Sequence, residues 1–78
     1  MNGYSPTYVG LYLLDPGPDR GPVLLRVRQV LSLRPAEAKA RVDSGAPLLL
    51  RTGLRDAVEE LARRFTDLGA HVELRTFM

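Results

Sequence analysis

Apolar positions recur along this chain with two different periods, and the alternation between them predicts six elements. Tyr8 to Leu14 (YVGLYLL) has the strand period of two. Val9, Leu11 and Leu13 point one way, toward the core; Tyr8, Gly10, Tyr12 and Leu14 point the other. Asp15 to Pro22 (DPGPDRGP) holds three prolines and two glycines, so it is a rigid loop. The period then changes. Val23, Leu24, Val27, Val30 and Leu31 make the buried stripe of a first helix. Asp19 or Gly21 caps it, with Pro22 in its first turn. Pro35 opens a second, short helix through AEAKARV, and Gly45 is placed to turn left-handed just past its end. Leu48 to Arg51, between Pro47 and Gly53, predicts a short strand. Asp56 to Leu68 carries the stripe Val58, Leu61, Ala62, Phe65 and Leu68, with a capping-box-like Asp56/Glu59 pair and Gly69 as terminator. His71 to Phe77 alternates again, with Val72, Leu74 and Thr76 on one face and His71, Glu73, Arg75 and Phe77 on the other.

The resulting order is β-α-α-β-α-β. Each helix has one apolar stripe, so all three helices cover one face of a three-stranded sheet, giving an α+β two-layer sandwich. The second and third strands, joined through a helix, run parallel by a right-handed crossover, and the first lies between them, antiparallel to both. Val9, Leu11, Leu13, Val27, Val30, Leu61, Phe65, Val72 and Leu74 form the expected core. The sheet's other face holds Tyr8, Tyr12, Leu14, His71, Glu73, Arg75 and Phe77, which is more apolar than a face in water should be. This predicts weak two-fold self-association centred on Tyr12 and Phe77, unless residues 1–7, with Tyr4, fold back over the patch. Those seven residues read as a loose N-terminal arm, and 8–78 as a single domain.

Seventy-eight residues without cysteine exclude a disulfide framework or a thiolate metal site. No apolar run approaches the ~20 residues that span a bilayer, and MNGYSPTYVG has no secretory-signal pattern. These features fit a cytoplasmic protein. The net charge of +2 matters less than its placement. From Arg20 to Arg41 six basic residues (Arg20, Arg26, Arg28, Arg34, Lys39, Arg41) face one acid, Glu37. The two-helix hairpin therefore presents a basic outer face. Leu25 falls on the side of the first helix away from the buried stripe, flanked by Arg28.

Catalytic chemistry finds no constellation. The single histidine, His71, has no acid–base or metal-ligand set around it. Ser5, Ser32 and Ser44 lack a paired base and read as loop or cap residues. Glu59 and Glu60 sit near a helix start, where negative charge suits the dipole. The DPGPDRGP loop precedes a helix, but its prolines remove donors and Asp19 repels anions, which argues against phosphate binding. The basic face lacks the interleaved aromatics of a single-strand nucleic-acid binder. The expected class is a non-catalytic binding module without metal or cofactor.

The run from Gly17 to Leu74 resembles the C-terminal domain of the bacterial ribosomal stalk protein, large-subunit protein seven/twelve. The resemblance rests on the Gly-containing loop before VLLRVRQVLSL, on EAKARVDSGAP, which is similar to an EAK-x-x-V-[DE]-S-x-P signature, on LRTGL, and on LGAHVEL, which is similar to a small-Gly-Ala-x-Val-Glu pattern. It implies a β-α-α-β-α-β fold and a recruiting role, in which the first two helices dock translational GTPases. On matching positions the docking face comprises Arg20, Val23, Leu24, Arg28, Glu37 and Lys39, to which the exposed Leu25 adds. The chain has Leu25 where the family has a lysine and Arg34-Pro35 where it has Gly-Leu. It has one residue more near Gly45 and one fewer near Arg55. The 78 residues do not include the family's dimerisation segment and hinge. The same element order is shared by the adaptor that delivers N-degron substrates to the Clp protease, whose Asn-Asp-Asp loop corresponds to Asp15-Pro16-Gly17-Pro18-Asp19 here. A protease adaptor is the alternative function, and a weak RNA-binding module a further one.

Overall fold

A computed structural model describes residues 8–77, with Phe77 described by its backbone alone. The expected arm at 1–7, and the Phe77 side chain expected at the centre of self-association, lie outside the described residues. The elements are β1 (Tyr8–Asp15), α1 (Arg20–Leu31), α2 (Pro35–Asp43), β2 (Leu48–Leu54), α3 (Arg55–Thr66) and β3 (His71–Phe77). The sheet order is β2-β1-β3, and β1 is antiparallel to both neighbours. The expected α+β architecture and strand arrangement are therefore the ones the chain adopts.

The strand period sorts β1 as the pattern predicts. Val9, Leu11 and Leu13 are buried, whereas Tyr8 and Leu14 are exposed. The helices accordingly lie on one face. α3 packs against all three strands, α1 against β2, and α2 chiefly against α1. Val9, Leu11, Leu13, Val27, Leu61 and Phe65 are core residues as expected; Val30, Val72 and Leu74 are only partly buried and pack around that core. Val23, Ala38, Val42, Leu50, Val58 and Ala70 complete it.

Helix ends follow local chemistry. After α3, Gly69 is left-handed (φ 88°), its N–H donates to the Thr66 carbonyl at 2.9 Å, and the Ala70 N–H donates to the Phe65 carbonyl at 3.1 Å. This Schellman arrangement satisfies the last carbonyls and turns the chain into β3. Gly17 (φ 79°) supports the same corner from the opposite loop. A Cβ there would stand 2.2 Å from the Gly69 carbonyl oxygen, so only glycine fits. The Asp15 carboxylate accepts the Gly17 N–H at 2.7 Å, closing a local turn.

Two local expectations are corrected. β2 does not stop at Arg51 but runs to Leu54 and passes directly into α3. Pairing with β1 through Tyr8–Leu54 carries the strand across Gly53, overriding the glycine as a breaker. Consequently the Asp56/Glu59 capping box does not form. Leu54 occupies the N-cap without a side-chain hydrogen bond, and Asp56 already lies in the helix's first turn. Glu59 instead pairs with Arg55 at 3.3 Å.

Candidate protein-interaction surface

The hairpin of α1 and α2 is set by one αL residue and one ion-pair cluster. α1 ends at Ser32, left-handed at φ 55° and ψ 47°. The N–H groups of Ser32 and Leu33 both donate to the Arg28 carbonyl. That reversal lets Leu33 pack on the core and places Pro35 at the first position of α2. At the start of α2 the Glu37 carboxylate accepts the Arg34 N–H at 3.0 Å. Arg34 has no side-chain acceptor to return the bond, so this cap is one-sided.

Across the hairpin, Asp43 at the end of α2 pairs with Arg20 at the start of α1 and with Lys39 one turn back at 2.6 Å. The Lys39 hydrogen bond, followed by that of Arg20, holds the Asp43 carboxyl below its ordinary pKa. Asp43 is the residue that sequence reasoning missed. Its i,i+4 spacing from Lys39 was the available signal; the Arg20 contact spans 23 positions and needs the fold.

The expected docking residues separate accordingly. Val23 is corrected: it is wholly buried and belongs to the core, because the α1 stripe that faces the sheet includes it. Arg20 and Lys39 are on the surface but engaged by Asp43, and Glu37 is engaged by the α2 cap. Leu24 packs partly on the core, while Leu25 is 50% exposed. Arg28 is half-buried, and its Nε is buried with no hydrogen-bond partner among the described residues. At 100° per residue, Gly21, Leu24, Leu25 and Arg28 (i, i+3, i+4, i+7) share one side of α1. Nothing stands within 4 Å of where a Gly21 Cβ would be, so the N-terminal end of this strip is open. Arg26, Arg34 and Arg41 likewise make no ion pair among the described residues. The uncompensated charge of the hairpin therefore rests on Arg26, Arg28, Arg34 and Arg41.

A shallow groove between α2 and β2, lined by Glu37, Ala40, Arg41, Ser44, Pro47 and Leu48 among others, flanks this surface. His71 is exposed at the start of β3, and no group of three or more His, Cys, Asp or Glu side chains among the described residues is placed to hold a metal ion. No described helix is long and apolar enough to cross a membrane. Comparison of the chain with protein-family models finds no match, and comparison with curated proteins finds no significant match.

Proposed function

We propose that this chain is a non-catalytic protein-interaction module that docks an acidic protein surface, that of a translational GTPase, through the outer side of the α1–α2 hairpin. The observation that carries this reading is the strip on α1: an exposed Leu25 beside Arg28, whose Nε is buried without an acceptor. Arginine is enriched at the centres of protein interfaces, and the exposed leucine beside it adds apolar area to bury. Arginine supplies a fork that matches a carboxylate in two places. The resemblance of the hairpin sequence to the stalk C-terminal domain supplies the partner class. In this reading Asp43 fixes the angle between the helices, and Leu24, Leu25, Arg28 and Lys39 make the contact.

Titration of isotope-labelled protein with purified elongation factors tests this by amide shift mapping. Shifts should cluster at residues 20–28 and 37–43. Shifts confined to the open sheet face, or none with any factor, would sink it. Arg28→Glu should weaken binding by at least tenfold, a loss of about 1.4 kcal/mol or more, and slow association most at low salt.

A further inference from the structure

Among the described residues, four of the five exposed large apolar side chains lie away from the α1 strip, on or beside the face of the sheet opposite the helices: Tyr8, Leu14, Leu49 and Leu54 are 56%, 42%, 41% and 49% exposed. Strand pairing arranges this face in rows. Leu49, Tyr12 and Glu73 form one row; Thr52, Gly10 and Arg75 form the next; Leu54 and Tyr8 follow. The Arg75 guanidinium lies 4.4 Å from the centre of the Tyr12 ring and pairs with Glu73 at 3.3 Å. Gly10, in the middle strand of the second row, is itself buried, so the row presents no gap at its centre.

We propose that this face binds a second copy of the chain, sheet against sheet, about a two-fold axis that lies between the sheets and crosses the strands at Leu11. Such an axis exchanges the rows. Glu73 then meets the partner's Arg75, while Arg75 meets the partner's Glu73. Tyr8 and Leu54 meet the end of the partner's face that carries Leu14. One operator thus satisfies the charge and the apolar ends together, which is the self-complementarity an isologous contact requires. The face is electrically neutral but ordered in charge, so it suits its own copy rather than a uniformly acidic or basic partner.

The size of the face sets the strength. Seven residues by three strands, at about 3.4 Å and about 4.8 Å, give a flat footprint of about 340 Å² per copy. Standard interfaces bury about 800 Å² per partner, so the dimer is weak and reversible. It leaves both helical hairpins facing outward, and the pair of copies presents two docking surfaces.

Sedimentation equilibrium of the full chain from micromolar to millimolar concentration tests the proposal, together with Leu49→Lys, Glu73→Arg, Arg75→Glu and the double exchange Glu73→Arg/Arg75→Glu. Thermal melts confirm which variants are folded. The expected result is a monomer–dimer equilibrium that Leu49→Lys abolishes. Each single charge reversal should weaken it about tenfold, and the double exchange should restore it to within about threefold. A full chain that stays monomeric at millimolar concentration overturns the proposal. So does a double exchange as weak as the single ones. Association that appears only after removal of residues 1–7 also overturns it, and gives the face to the chain's own N-terminal segment.

Discussion

Ser32 is the residue whose backbone most clearly departs from what its side chain prefers. It is the one non-glycine residue with positive φ among those described. An L-residue in the left-handed region brings its Cβ close to the following carbonyl, a cost of about 1–2 kcal/mol. The turn tolerates it because the Ser32 and Leu33 N–H groups cap the α1 carbonyl at Arg28 and Leu33 reaches the core. Ser32→Gly removes the clash at the cost of a more flexible unfolded chain. It should raise stability by about 1 kcal/mol, readable as a higher midpoint in urea with an unchanged slope. The contrast with Gly17, Gly45 and Gly69, which take positive φ without that cost, shows where this chain holds avoidable strain.

Between elements, the Asp43 cluster joins the start of α1 to the end of α2. Its pKa is lowered mainly by Lys39 and then Arg20. A group whose folded pKa lies below its unfolded value adds stability above the unfolded value. That stability is lost as pH falls through the folded one. The contribution is therefore complete at neutral pH and disappears on strong acidification. Because the carboxylate is exposed, water and salt screen it, and the effect should be small. Asp43→Asn should lower stability at pH 7 but leave it nearly unchanged at pH 2, so that the stability difference between variant and parent closes with acid. A difference that persists unchanged at pH 2 would mean that Asp43 acts through something other than its charge. The same substitution frees Arg20 and Lys39, so an acidic partner should bind the variant at least as fast.

For the whole molecule, stability depends on how α3 closes the sandwich. Phe65 is wholly buried between α3 and the strands and is the largest such side chain among the described residues. Phe65→Ala should cost about 3–5 kcal/mol. A domain of this size has roughly 4–12 kcal/mol in total, so this is a large share of it, and the Tm should fall by more than about 10 °C in a thermal melt. A melt within a degree or two of the parent would show that Phe65 is not central to the core. The α1 strip and the open sheet face lie on opposite sides of this core. A surface substitution such as Leu49→Lys should therefore leave docking through Arg28 unchanged, and Arg28→Glu should leave self-association unchanged.

Much of this architecture follows from one-dimensional pattern. The apolar period of two in Tyr8–Leu14 and His71–Phe77, and the helical stripes of Val23–Leu31 and Val58–Phe65, determine which elements form and which side of each is buried. These are properties of residues a few positions apart on one regular element. Gly45 and Gly69 were legible as chain reversals for the same local reason. The tertiary structure decided what depends on distant pairing. β2 continues through Gly53 because β1 hydrogen-bonds it there. Arg20 and Lys39 are engaged because Asp43 is brought to them, and Val23 is core rather than docking surface because of how α1 faces the sheet. Leu49 and Leu54 share the open face with Tyr12 and Tyr8 because the register shifts between Leu11 and Tyr12. A single extra residue at such a shift reverses which side chains point outward beyond it, and only the partner strand determines where it falls.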